Sequence, residues 1–310
     1  MFMSKLKIGI VGLGGIANKV YLPFLSRGED WNLAGVFSPT EAKRNRISEY
    51  YRVKAFGSLS DLIEASDVVF VNSSTASHFE VVSEALKRGR DVYVDKPLAE
   101  TLEKAEELVE LSIKANRKLM VGFNRRFAPM YIKARNSMKN TALIRIEKHR
   151  ANGIGNVKFS DTLLDDYIHV IDTAIWLSAP EGKFKGTIKV NNENELIFTE
   201  HSYKSKDDAS VFMCMHRKSG SNLERLEIIN EDSIVRVENI DTMEIEKNGV
   251  IQKGIMPAWD TVIKRKGFEG AIMSFINSVL GDTKPEVDGE EGLKAQRYLY
   301  EIIRNNNIDR

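Results

Sequence analysis

Hydrophobic and polar positions follow two different rhythms along the chain. In the first part, LKIGIVG (6–12), NLAGVFS (32–38), KAF (54–56), DVVFVNSS (67–74), DVYVDK (91–96) and KLMVGF (118–123) are short apolar runs that predict six strands. Amphipathic stretches separate them: residues 15–27, TEAKRNRISEYY, SHFEVVSEALKRG and LEKAEELVELSIKANR all predict helices. Strand and helix in strict alternation predict a parallel sheet with helices on both faces. Right-handed crossovers then give the doubly wound α/β (Rossmann) arrangement, whose ligand crevice lies at the carboxyl ends of the strands.

The rhythm changes in the second part. After helical patterns at 127–138 and 161–178, residues 184–254 alternate at period two: GTIKVNN, ELIFTEHSY, SVFMCMHR, ERLEIIN, SIVRVEN and MEIEKNG. This pattern predicts an α+β domain with a large, mostly antiparallel open sheet. Two helices, 259–280 and 289–305, close the chain. The change of rhythm sets the expected boundary at Gly122, giving domains 1–122 and 123–310.

One helix carries an unusual polar line. In LLDDYIHVIDTAIWL (163–177), Asp165, His169, Asp172 and Trp176 fall on one line, and Leu164, Ile168, Ile171 and Ile175 on the next. The polar line faces either water or a cleft in which protons are exchanged, and periodicity alone does not choose.

Composition removes several classes of function. Across 310 residues, 45 Lys+Arg against 44 Asp+Glu leave a formal charge of +1, without the basic field that nucleic acid attracts. No run of 18 apolar residues predicts a membrane span. The short apolar stretch near the amino terminus breaks into glycines and reads as a strand rather than a signal peptide. The single cysteine, Cys214, excludes an internal disulfide, and the five histidines show no close metal-ligand pair. A cytoplasmic protein with no metal and no nucleic-acid or membrane partner is expected.

Candidate chemistry clusters at strand ends. GLGGIA (12–17) is G-x-G-x-x-A between a strand and a helix. Gly12 suits the tight turn, Gly14 and Gly15 let a pyrophosphate approach, and Ile16 and Ala17 open a helix whose free N–H groups face the phosphate. Dinucleotide enzymes that take NAD place a carboxylate at the end of the second strand. Here Ser38 stands there, with Lys43 and Arg44 nearby, which favours NADP(H) over NAD(H); the same two charges also suit a solvated helix start. Lys96 ends the fifth predicted strand, and Pro97 holds its backbone extended, directing it to the crevice.

GLGGIA, DVYVDKP, VGFNRRFAP and the D-x-x-x-H of DDYIH together resemble the Gfo/Idh/MocA family of NAD(P)-dependent oxidoreductases, and longer stretches such as SSTASHF, DKPLAE and MHRKSGS resemble its MviM-like subgroup. The resemblance implies that Lys96, His169 and Asp165 handle the proton of a substrate hydroxyl. It places Asp95 where relatives carry glutamate, and Ser38 and Lys43 at the spacing NADP-using relatives show. Relatives often have a glycine pair before the D-x-x-x-H helix; KFSDTLL stands here instead. The implied activity is hydride transfer between nicotinamide and a carbinol carbon of a sugar, cyclic polyol or related hydroxy compound, in a homo-oligomer joined through the second sheet. The other reading is a catalytically silent nucleotide-binding sensor. Neighbouring candidates are Ser73, Ser74, Thr75 and His78 for the cofactor, and Asn124, Arg125 and Tyr167 for substrate. Of Arg125 and Arg126, one suits substrate and the other a structural salt bridge; Asp172 suits the pocket lining or a structural cap or pair, Trp176 the core, and His149 and Arg150 the end of a strand near the cleft.

Overall fold

The protein is described by a computed structural model covering residues 5–306; residues 1–4, at the head of the apolar stretch weighed against a signal peptide, lie outside the described residues. The chain divides into two compact units, Met1–Gly122 with Ala271–Leu293, and Phe123–Gly270 with Lys294–Arg310.

Five parallel strands form the centre of the first unit: β1 (Leu6–Val11), β2 (Trp31–Phe37), β3 (Val68–Val71), β4 (Asp91–Asp95) and β5 (Leu119–Gly122), in the order β2-β1-β3-β4-β5. The expected strand at KAF is reduced to one bridge, Val36 to Ala55, beside β2. Three residues between a helix end and Gly57 are too few to extend it. The order reverses between β1 and β3, which is where a crevice opens in such sheets. A π-helical turn (Ala17–Tyr21) and α1 (Leu22–Leu25) follow β1, α2 (Glu41–Tyr51) follows β2, α3 (Leu59–Glu64) precedes β3, and α4 (Thr75–Lys87) and α5 (Leu102–Lys114) follow β3 and β4.

Aromatic packing corrects the expected domain limits. Phe70 and Tyr93, neighbours on β3 and β4, stack at 4.8 Å, and Tyr21 covers them from one side at 6.2 and 5.7 Å. The remaining cover is Phe275, 5.8 and 5.7 Å from the same rings. Val121 N–H donates to Val287 O at 3.0 Å, and a Cβ added at Gly292 would lie 2.3 Å from a Val121 methyl. Residues 271–293 therefore belong to the first unit rather than to a continuous 123–310 domain. Without them, one face of the parallel sheet would leave its aromatic rings in water.

In the second unit the predicted hairpins form an eight-stranded sheet. Its strands are β6 (Leu143–His149), β7 (Pro180–Val190), β8 (Leu196–Ser205), β9 (Ser210–His216), β10 (Leu223–Asn230), β11 (Ser233–Glu238), β12 (Thr242–Lys247) and β13 (Val250–Ile255). The order is β13-β12-β11-β10-β6-β9-β8-β7, antiparallel except for β6 beside β9. Helices α6 (Pro129–Asn136), α7 (Phe159–Thr162) and α8 (Ile168–Leu177), with a π-helical turn at Leu163–Tyr167 between the last two, pack on one face. The predicted helix 259–280 is broken into α9 (Val262–Arg265) and α10 (Phe268–Leu280) by Gly267. Its φ is +82°, and an added Cβ would lie 2.1 Å from Asn124 O, so the backbone passes where only glycine fits. The last helix, α11, is Gly289–Asn305.

Helix α8 settles part of the question its polar line raised. Only Asp165 is exposed; His169, Asp172 and Trp176 are buried with Ile168 and Ile171. Asp172 accepts from Arg126 at 2.7, 3.0 and 3.1 Å, both side chains being almost wholly buried, and Trp176 lies under the Arg135 guanidinium at 4.7 Å. Removing one partner of a buried ion pair strands the other. Asp172→Ala should therefore lose about 3–5 kcal/mol in urea unfolding, whereas the double change Arg126→Met, Asp172→Leu should lose less.

Candidate active site

The phosphate loop is shaped by one close backbone approach. Gly12 has φ +90°, and a Cβ there would lie 2.3 Å from Ser73 N and 2.6 Å from Asn72 C. The ends of β1 and β3 thus touch main chain to main chain at the point where strand order reverses. Asn18 fastens the other side of the loop, its amide donating to Leu13 O at 3.0 Å and Gly14 O at 2.7 Å. At Gly14 and Gly15 an added Cβ would meet nothing within 4 Å. That open space, in front of the first N–H groups of a helix, is what a pyrophosphate requires, so the loop fits a dinucleotide. Ile16 and Ala17 enter the helix as expected.

Asn72 escaped the sequence reading. It is 3% exposed, and neither its amide nitrogen nor its carbonyl oxygen has a hydrogen-bond partner. A buried amide in this state is a polar group awaiting a ligand or water. A polar residue closing the all-apolar run VVFV was the available signal. Beside it, Ser77 donates to Ser73 Oγ at 2.7 Å and Ser74 caps α4, leaving Thr75 as the first helical residue.

At the end of β2, Ser38 is buried. Its hydroxyl accepts from Thr40 N–H at 3.4 Å, and Arg44 folds back to donate to Ser38 O at 3.3 Å. Lys43 is exposed one turn into α2. At the end of β4, Asp95 accepts from the Tyr21 hydroxyl at 3.0 Å, so a tyrosine reaches the shorter carboxylate that replaces glutamate. Lys96 is half-buried, and its peptide bond to Pro97 is cis. His78 was expected to serve either as a cofactor contact or as a satisfied residue. It is 1% exposed, with Nδ1 2.8 Å from Pro97 O and Nε2 3.2 Å from Ser73 O. A neutral imidazole has one N–H, and the shorter contact places it on Nδ1, donating to Pro97 O, so His78 braces the Lys96–Pro97 segment.

In the second unit His169 is buried, its ring edge-on to Phe123 at 6.4 Å, while Asp165 one turn earlier is exposed. Three expected substrate contacts have other work. Tyr167 is fully buried, its hydroxyl 3.3 Å from His201 Nδ1 and 3.4 Å from Met213 O. Asn124 donates to Lys266 O at 2.7 Å. Arg125 grips Glu224 through two bonds of 2.6 and 2.8 Å, which hold the carboxyl down at about 2 against burial. Tyr167 is a core residue, and Asn124 and Arg125 are structural first.

Around Asp166 the structure gathers groups that sequence did not link. Lys148, on the core face of β6, and Arg217 both contact its carboxylate, and Arg150 adds two bonds of 3.1 Å. On the other face Glu147, His149 and Cys214 bring possible metal ligands together. His149 Nδ1 accepts from His216 N–H at 3.1 Å, so Nε2 carries the proton and turns it toward Glu147, 3.7 Å away. A cavity of about 730 Å³ in the first unit opens at the amino ends of β4 and β5, beside Asp91 and Lys118, away from the phosphate loop.

Comparison with known proteins agrees with this geometry. Residues 6–123 match the oxidoreductase family with an NAD-binding Rossmann fold, and residues 129–248 match the YceM-like C-terminal domain. YceM of Salmonella typhimurium is 42% identical over 305 residues, covering 98% of this chain and 99% of its own. This chain belongs to the Gfo/Idh/MocA family. The crystal structure of the MviM dehydrogenase from Clostridium difficile superposes with a TM-score of 0.95 at 43% identity, over 97% of this chain and 100% of that one. The myo-inositol 2-dehydrogenase of Thermotoga maritima is 24% identical over 316 residues, covering 94% of this chain and 93% of its own. Among the described residues, no helix of this family member is long and apolar enough to cross a membrane.

Two buried imidazoles give a pH signature. Burial pushes His78 below its usual value and His201 down to about 4. The unfolded chain therefore takes up protons first as pH falls. Stability is full above the unfolded value, about 6.5, and is lost as pH drops from there toward 4. His201 alone should cost about 2 kcal/mol between pH 7.5 and 5. Urea titrations at the two pH values should show the loss, and His201→Asn should reduce it.

Proposed function

We propose that this chain is an NADP(H)-preferring oxidoreductase that interconverts a secondary alcohol and a ketone on a sugar, cyclic polyol or related hydroxy compound. The observation that carries the reading is the strand-order switch. Gly12 closes on Ser73 there, the Gly14–Gly15 cradle stands open, and Lys96 and Pro97 follow β4 on the same edge of the sheet. A bound nicotinamide nucleotide supplies the hydride acceptor or donor. Lys96 donates a hydrogen bond to the reacting oxygen and stabilises negative charge as it develops. His169 takes the hydroxyl proton, or returns it in the reverse direction, as imidazoles do near neutrality. Asp165 orients the hydroxyls or the imidazole. The NADP(H) preference is supported by Ser38, where a carboxylate would repel a 2′-phosphate, and by Lys43 and Arg44 beside it.

NADPH should bind at least about tenfold tighter than NADH in a fluorescence titration, because a 2′-phosphate gains charge-assisted hydrogen bonds. Ser38→Asp should reverse the order, and equal affinities would remove the preference. In a screen of sugars and polyols followed at the reduced-nicotinamide absorbance band, Lys96→Ala and His169→Ala should each lower kcat/KM by about 10²–10⁴. Turnover that survives both changes defeats the assignment. Tight nucleotide binding with no turnover of any compound supports a sensor instead.

A further inference from the structure

One cluster in the second unit gathers more cations than carboxylates. Four cations, Lys148, Arg125, Arg150 and Arg217, surround two carboxylates, Asp166 and Glu224. Arg125 and Glu224 form one bidentate pair, and the Tyr131 hydroxyl adds a bond of 3.3 Å to that glutamate. The other three cations all converge on Asp166. Beside Glu224, Lys266 and Arg265 share the carboxylate of Asp241 at 3.2 and 3.1 Å.

A carboxylate has about four lone-pair positions. Lys148, Arg217 and the two Arg150 bonds fill those of Asp166. Holding the loop that follows β6 would need one cation, not three. Lys148 is 2% exposed on its side chain, and an uncompensated charge at that depth is expensive. The imbalance registers there: burial first and Arg125 second depress the ammonium to about 8, although a carboxylate touches it. Arg150 is the cluster's outlet. Its side chain is 37% exposed, and only Nε and one terminal nitrogen are spent on Asp166. The other, Nη1, makes no hydrogen bond among the described residues. Asp166 adjoins Asp165 in sequence and lies in the π-helical turn that leads directly to His169.

We infer that Arg150, backed by Lys148 and Arg217, binds an anionic group of the substrate, so that the hydroxy compound oxidised or reduced carries a carboxylate or a phosphate. This inference rests on the substrate site proposed above and narrows its chemistry. A neutral polyol would leave the charge of the cluster unmatched. A carboxylate or phosphate oxygen would occupy the free edge of the Arg150 guanidinium, the geometry for which arginine is suited.

The test uses the full-length protein with saturating NADPH and three ligands on one ring: glucose, glucuronate and glucose 6-phosphate, with inorganic phosphate as the minimal probe. Calorimetry should show at least one anionic ligand binding about tenfold or more tighter than glucose. The carboxylate and phosphate arms identify which anion is favoured. Arg150→Gln should abolish that preference, and Arg150→Lys should keep part of it. An unchanged NADPH affinity and melting temperature in Arg150→Gln show that the fold survives. Glucose binding as well as both anions, no anion binding at all, or a preference that persists in Arg150→Gln overturns the inference. Because the readout is binding, an anion that binds through Arg150 but is never turned over defeats only the oxidoreductase reading. Turnover confined to neutral substrates defeats only the anion site.

Discussion

The main-chain contact between the end of β1 and the end of β3 is the constraint on which the first unit's chemistry depends. A side chain at Gly12 would occupy the position of Ser73 N. Because none is present, the phosphate loop turns tightly and delivers Gly14 and Gly15 to open space. Asn72 and the serines then gather around the same edge, and the order of strands makes that edge a crevice. Asp95, tied to Tyr21, and His78, tied to Pro97, extend the rigid frame as far as Lys96. A flexible lysine thus stands on a segment braced from two sides.

The second unit solves a different problem. Charged side chains on and beside its sheet find partners far away in sequence. Arg126 finds Asp172, Arg125 finds Glu224, and three cations find Asp166. These pairs fix the π-helical turn and α8, and with them Asp165 and His169. Irregular π turns recur where a helix must present side chains out of its regular phase. Here one carries Asp165 and leads into His169.

The legible parts of the fold were those set by local periodicity. The strand–helix rhythm, the period-two hairpins and the G-x-G-x-x-A loop all encode their neighbours within a few residues. The KAF run was too short to declare itself a single bridge. The pattern of residues 259–280 predicts a helix, but amphipathicity does not say which sheet an apolar face will cover, and Phe275 covers the first. Lys148 was visible in IRIEKHR as a polar residue at an inward position. Its partner lies 18 residues on, and Arg125 and Glu224 are separated by 99, so spacing could not join them. Tyr167 and His78 stand out in the sequence as polar residues, but sequence does not show that each is buried with a hydrogen-bond partner of its own. The polar line on 163–177 misled for a related reason. Asp172 balances a buried arginine, which makes a charged residue as much a part of the interior as an isoleucine.

The chain passes from one unit to the other three times: after Gly122, within α10 and within α11. Recombination between relatives in this family cannot therefore exchange a nucleotide-binding half by a single cut at the obvious boundary. A hybrid joined only at Gly122 would pair one parent's Phe70 and Tyr93 with the other parent's Phe275, and would set a foreign residue against Val121 where Gly292 leaves no room. Inheritance of the two ends of the gene is tied together by the packing of Phe275 on Phe70 and Tyr93.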